Sequence, residues 1–511
     1  MERVRQVGLA SVERTGSQVH GRRVPELYQA QDRRTGVTRP MNDEYEEFLA
    51  SKLVSHRQDG VDVPMSSMPD ILMPFQAEII QWALRQGKAA LFEPCGFGKT
   101  FQQIEFAYQA ARFTDKPSLI LAPLAVAGQT AREGTKLGRQ VTVCRTQDHV
   151  KPGVNVTNYD MIDHFDVTKF GAVVLDESAI LRNFSGTVKQ KLCYLFQRTP
   201  FRLCCTATPA PNDYKELGNH SEFLGAMRSN EMLMRWFIND TMKMNGYVLK
   251  GHAEADYWRW VSTWSTCLSL PSDLGYSDDG FVLPELSIKE VIVETDWSLN
   301  APEGELMRSP SMSATTMHAE MRLTAVDRAR AAADIVSSDS QASWPVWCNT
   351  DYEADELMKA IPYAVDLRGS ESVEAKEKKL LGFVDGSIRV LITKPRLAAY
   401  GLNWQHAHKT VFVGLSHSFD AFYQALRRLW RFGQTHPVEA YIIMAETEGA
   451  VLQTIRRKQD QHERMVTAMV NAMKQNRMAD NGRLNLSKYT PTIPMILPSW
   501  LKADATVTRV S

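Results

Sequence analysis

Between Phe75 and Glu222, short apolar runs (AALFE, SLILAP, NVTNY, AVVLDE and RLCCTATP) alternate with longer stretches whose apolar residues recur at helical spacing, and Gly, Pro, Asn or Thr bound each run. Short, continuously apolar runs suit strands covered on both faces, so the alternation predicts a doubly wound parallel sheet of the α/β class. Residues 226–284 break the rhythm with the Trp- and Met-rich WFINDTMKMNGYVLKGHAEADYWRWVSTW and a polar Gly/Ser/Asp segment, which reads as an inserted, mostly helical subdomain. The rhythm resumes near Leu286 with IKEVIVET, WPVWCNT, AVDLRG, IRVLITKP, KTVFVGL and EAYIIMA, predicting a second sheet domain. Residues 448–478 form one long helical pattern, and NDEYEEFLASKLV, Asn42 to Val54, forms a shorter one with Asn42 or Asp43 as N-cap. Neither an internal repeat nor a low-complexity tract interrupts this plan.

Charge changes the picture more than composition does. The 511 residues carry 59 Lys/Arg against 59 Asp/Glu, so the chain as a whole is neither a polycation nor an acidic solvator. Yet Gly386 to Ser511 holds 17 Lys/Arg against 8 Asp/Glu, and residues 1–385 hold 42 against 51. The first forty residues are also locally basic, with eight Arg against four acids, so a polyanion site is expected at the ends and in the cleft between the halves. No apolar run approaches the roughly 20 residues of a membrane-spanning helix, and no secretory signal pattern is visible at the start. Seven cysteines without a C-x-x-C pair point to a reducing, cytoplasmic setting with neither disulfides nor structural zinc.

Two segments carry candidate chemistry. After the strand-like AALFE comes EPCGFGKT, Glu93 to Thr100, and then the helical FQQIEFAYQAAR. A glycine-containing turn from strand to helix aims backbone N–H groups at one spot, and the helix dipole reinforces them, which suits a polyphosphate. Gly96 and Gly98 supply the turn, Lys99 would neutralise β/γ-phosphates and Thr100 would ligate Mg²⁺. Position 93 departs from the phosphate-loop pattern, which wants Gly where this chain has Glu. The second segment is AVVLDESAILRN, where four apolar residues end at Asp176 and Glu177. Two carboxylates at the C-terminal mouth of a buried strand lie where α/β sheets bind ligands, so Asp176 would hold Mg²⁺ through water and Glu177 would orient or deprotonate an attacking water.

Together with Gln76, CTATPAPND and YQALRRLWRFGQ, these segments resemble the superfamily-two helicase-type motors with a DEAD/DEAH-type acidic motif. More narrowly they resemble the Swi/Snf-type double-stranded DNA translocases, in the compact form carried by phages and prophages. The resemblance covers about residues 71–475. It implies two RecA-like domains in tandem with a helical insertion and a C-terminal helix. The expected boundaries are a basic arm and helix at 1–70, domain 1 at 71–225, the insertion at 226–284, domain 2 at 285–447, and a brace helix with tail at 448–511.

By the same resemblance Gln76 reads adenine, and Pro123, Gln129, Thr157 and Asn158 belong to segments that grip the nucleic-acid backbone. Thr206 and Thr208 would couple the nucleotide and nucleic-acid sites, while Gly401 and Asn403 belong to a motif that touches both. Arg428 and Arg431, three apart on one helical face, would be arginine fingers, an effect worth about 10³–10⁵ in rate in other phosphate-transfer enzymes. Arg182, Asn183 and Asn212 are the narrower Swi/Snf-like marks. Two further departures stand out: Ala179 occupies a position where the family commonly has a His that hydrogen-bonds across the cleft, and KPRLAAY leaves Lys394 and Arg396 open as DNA contacts.

The implied activity is a DNA-dependent ATPase using ATP and Mg²⁺ to move on or remodel duplex DNA, in replication or repair. RNA as the track, and a nucleotide-gated clamp with vestigial hydrolysis, are the alternatives. The basic helix at 448–478 is either part of the DNA footprint or a brace across the lobes. The cluster Trp236, Trp258, Trp260 and Trp264 is either a base-stacking platform or a small core.

Overall fold

The computed structural model describes residues 59–123, 126–182, 186–240, 246–294, 321–395, 397 and 403–480. The expected helix at 42–54, together with Asn183, Arg396 and Gly401, lies outside the described residues.

Eleven of the apolar runs are strands. In the first lobe these are β1 (Lys88–Phe92), β2 (Ser118–Ala122), β4 (Val154–Asn158), β5 (Ala172–Asp176) and β6 (Phe201–Thr206), with the short β3 (Val141–Val143) added. A hairpin, β7 (Phe237–Asp240) and β8 (Gly246–Leu249), precedes β9 (Ser265–Cys267). The first sheet is parallel with seven strands in the order β3-β4-β2-β5-β6-β1-β9. The second lobe contains β10 (Leu286–Val293), β11 (Trp344–Trp347), β12 (Val365–Asp366), β13 (Val390–Thr393), β14 (Lys409–Val413) and β15 (Val438–Ala445). They form a second parallel sheet in the order β10-β15-β14-β11-β13-β12. The molecule is therefore α/β with two RecA-like parallel sheets. No described helix is long and apolar enough to cross a membrane.

The reading of 226–284 as a mostly helical insertion needs correcting. Its helices Ser229–Trp236 and Glu254–Trp264 are present, but β9 pairs with β1 (Leu91 against Thr266) and closes one edge of the first sheet. Trp236 and Trp260 stack at 4.6 Å, and Trp258 and Trp264 are buried beside them. Large aromatic surfaces buried this way are core, so the tryptophans are taken up by packing and not presented as a platform.

The last helix, Gly449–Asp480, spans 32 residues. Near its start Val451, Leu452 and Ile455 enter the second lobe's core, and near its end Met473 enters the first lobe's. Its basic residues largely find partners within the fold. Arg456 pairs with Glu290, Lys474 with Asp273 at 2.8 Å, and Arg477 with Glu78, whereas Arg457 and Arg464 are exposed.

Register sets the site's location. Leu91 and Asp176 both align with Cys205, so β1, β5 and β6 end together and Glu93, Glu177 and Thr208 emerge at one edge. In the second sheet Trp347 aligns with Thr393 and with Phe412, which brings the loops after β11, β13 and β14 to a common edge.

Candidate nucleotide and nucleic-acid cleft

Those two edges line one cleft of about 1400 Å³. From the first lobe it takes Gly96, Gly98, Lys99, Thr100, Asp176 and Glu177, and from the second Gln424, Arg427, Arg428 and Arg431. Pro123, Gln129 and Asn158 line the same cleft, whereas Thr157 is buried behind it with its hydroxyl unpartnered. Asn403 is exposed and is not part of the lining.

The loop after β1 is built as its glycines require. Gly96 has φ 99° and Gly98 φ 76°, conformations that side chains with a Cβ rarely adopt. A Cβ on Gly96 would meet Phe432 Cβ at 2.8 Å, and one on Gly98 would meet Gln76 Nε2 at 2.3 Å. Gln76 itself is buried in the first turn of the helix Pro74–Gln86. Its Oε1 accepts from Met73 N–H at 2.9 Å and its Nε2 donates to the Phe97 carbonyl at 2.8 Å. Its amide thus supports the loop from behind and does not line the cleft. Lys99 begins the helix Lys99–Thr114, and its ammonium donates to the carbonyls of Glu93 (2.8 Å) and Pro94 (2.9 Å). Glu93 lies beneath the loop, 1% exposed, and receives Gln102 Nε2 at 2.8 Å. Burial pushes its carboxyl up to about 7, against the pull of Lys99.

On the facing loop, Asp176 accepts from Gln103 Nε2 at 2.8 Å and Glu177 accepts from Thr206 Oγ1 at 3.2 Å. Glu177 has φ 54°, a left-handed conformation in a non-glycine residue. Such geometry costs on the order of 1–3 kcal/mol and persists where the surroundings over-determine it. Both carboxyls keep some exposure to the cleft, yet the enclosing protein raises them: burial first, and for Glu177 next the charge of Asp176, bring Glu177 to about 7.

Across the cleft, burial lowers the guanidinium of Arg428, opposed by Cys95, Glu177 and Asp176, and pulls that of Arg431 down to about 10. Arg431 Nε is buried without a hydrogen-bond partner. A cationic group left this way beside a glycine cradle and two carboxylates matches the donor set a magnesium-bound triphosphate needs, so the residues present fit ATP and Mg²⁺.

Neither a protein-family model nor a curated protein matches the chain. Among solved structures it is similar to the Sulfolobus solfataricus SWI2/SNF2 ATPase core in complex with dsDNA. That similarity covers 84% of this chain and 100% of the other at 15% identity, with a TM-score of 0.39.

Several lining residues escaped sequence reasoning. Asn349, Thr350 and Asp351 follow β11, and Arg368 and Ser370 follow β12. Thr350 caps the helix Asp351–Ala360 in a capping box with Glu353, which a fully buried ion pair with Arg328 (2.9 Å) anchors. The available signal was position, since each residue stands just beyond the C-terminal end of a predicted parallel strand.

Proposed function

We propose that the chain is an ATP hydrolase that couples turnover to movement along double-stranded DNA. The observation that carries this reading is the meeting of Lys99, Asp176, Glu177, Arg428 and Arg431 on the walls of one interlobe cleft. In this reading Lys99 leaves its two carbonyl partners for the phosphates, and the loop N–H groups between Gly96 and Thr100 complete the cradle. Thr100 and Asp176 would hold Mg²⁺, which when bound supplies Lewis-acid charge at the phosphoryl oxygens. Glu177 takes the proton of the attacking water, a role its raised proton affinity suits near neutral pH. Arg428 and Arg431 offset charge on the transferring group from the opposite lobe, so hydrolysis requires the lobes to be together.

Nucleic acid is assigned to the cleft wall at Pro123, Gln129 and Asn158, with Lys394 on the second lobe. Lys394 is ion-paired to Asp351 at 2.7 Å, and a DNA phosphate would compete with that carboxylate. Affinity dominated by phosphate contacts weakens steeply with salt.

One titration tests the reading: ATPase rate against double-stranded DNA, single-stranded DNA and RNA, wild type beside Glu177→Gln. Duplex-stimulated hydrolysis that Glu177→Gln abolishes is expected. Stronger stimulation by RNA would move the track to RNA, and nucleotide-dependent DNA binding without turnover would leave the clamp.

A further inference from the structure

We propose that Asp420 is a positioning residue that transmits the state of the nucleotide site in the first lobe to the arginine-bearing helix of the second. This rests on the proposed ATPase reading and names a residue that reading does not use.

Asp420 lies in the first turn of the helix Phe419–Leu426, whose N-cap is Ser418 and whose chain continues directly into Arg427 and Arg428. Both of its carboxylate oxygens face the other lobe. Oδ1 accepts from Thr208 Oγ1 at 2.7 Å and Oδ2 accepts from Arg182 Nη1 at 3.0 Å. Thr208 is fully buried, and its backbone N–H donates to Thr206 Oγ1 at 3.1 Å. The Thr206 hydroxyl in turn donates to Glu177 Oε2. An unbroken hydrogen-bonded path therefore runs from Glu177 through Thr206 and Thr208 to Asp420, and from Asp420 along eight residues to Arg428. Glu177, raised first by burial and then by Asp176, also feels the charge of Asp420.

Asp420 receives two hydrogen bonds across this end of the cleft, one from Thr208 and one from Arg182. Ala179, beside the acidic pair, carries no polar group there, so the acidic segment reaches the second lobe through Arg182 instead. Lys458 reinforces the junction from the last helix, donating to the His417 carbonyl at 2.8 Å and to Asn212 Oδ1 at 2.7 Å. A buried threonine hydroxyl bonded to a carboxylate holds a defined geometry, since hydrogen bonds to charged groups are shorter and stronger than neutral ones.

The test is steady-state kinetics of Asp420→Ala, Asp420→Asn, Thr208→Val and the Asp420→Ala/Thr208→Val double variant over a range of MgATP concentrations at saturating duplex DNA. Each of Asp420→Ala and Thr208→Val is expected to lower kcat on the order of tenfold, with KM for ATP within about twofold of wild type. Asp420→Asn, which keeps an acceptor for Thr208, is expected to fall between. The double variant should be no slower than the slower single, because both changes cut one path. Folded Asp420→Ala with kcat within about twofold of wild type, or losses that multiply in the double variant, would overturn the assignment. If the wild-type chain hydrolyses no nucleotide, the ATPase reading fails, and hydrogen exchange of the full chain decides the inference. Asp420→Ala should then speed exchange in Thr206–Asn212 and Phe419–Leu426 but not at Met465–Met473, and unchanged exchange in the first two segments would sink it.

Discussion

Lys99 donates its ammonium to the backbone carbonyl of Glu93 at 2.8 Å, so the loop that precedes the helix folds around its own cation. With Pro94 O at 2.9 Å, two carbonyls hold the side chain in place of the phosphates assigned to it. Charge-assisted bonds of this kind are worth about 1.5–3 kcal/mol when made to a charged group. Lys99→Met should therefore weaken MgATP binding at least tenfold by calorimetry and also lower the thermal midpoint slightly. A variant that binds ATP as tightly as wild type would remove Lys99 from the phosphate site.

Glu177 offers a pH signature. Its carboxyl sits at about 7, so the ionised form that can accept a proton grows in as pH rises through that value. The rate of kcat/KM for ATP is expected to climb between about pH 6 and 8 and then level off. Glu177→Gln should lose on the order of 10²–10⁴ in kcat while MgATP affinity stays near wild type. Residual turnover that keeps the same pH profile in that variant would assign the titration elsewhere.

Glu93 makes the opposite kind of statement, about stability. Its buried carboxyl is raised from 4.5 to about 7. Below pH 4.5 the group is protonated in the folded and unfolded chain alike, and its burial costs least. Between 4.5 and 7 only the unfolded chain gives up the proton, so this contribution to stability is lost as pH rises and is gone above 7. Glu93→Gln cannot titrate. Its unfolding free energy should match wild type near pH 4 and exceed it above pH 7, by about 3 kcal/mol, in denaturant melts across the range.

Gly96 joins the lobes by its lack of a side chain. At φ 99°, with Phe432 Cβ 2.8 Å from any added methyl and the Phe432 ring tilted against Phe281 at 4.7 Å, it is the floor on which the second lobe's aromatic rests. Gly96→Ala should cost about 1–2 kcal/mol in backbone strain alone and push Phe432 off its seat. Expected readouts are a lower thermal midpoint and faster exchange around Phe432. Equal stability in the two proteins would mean the loop relaxes without moving its neighbour.

What was legible without coordinates follows from the length of each signal. Continuous apolar runs of four to eight residues, such as AVVLDE and KTVFVGL, must be covered on both faces, and all eleven became strands of two parallel sheets. The glycine turn at Gly96 and Gly98 and the acidic pair Asp176 and Glu177 are visible in the sequence for a related reason, since both stand directly after such runs. The strands β3 and β9 were not, because VTV and STC are too short to show a period and owe their conformation to the neighbours they pair with. For the same reason a segment read as an insertion turned out to finish the first sheet.

Hydrophobic periodicity and turn residues act over a few positions, so the class of the elements and the local chemistry of each loop are properties of short stretches of sequence. Tertiary structure decided which loops share a cleft and where each polar atom spends its hydrogen bonds. Gln76 is spent on Met73 and Phe97, the tryptophans on one another, and Asp420 on Thr208, 212 residues away. Contacts of that span depend on strand order and register, which no local pattern encodes.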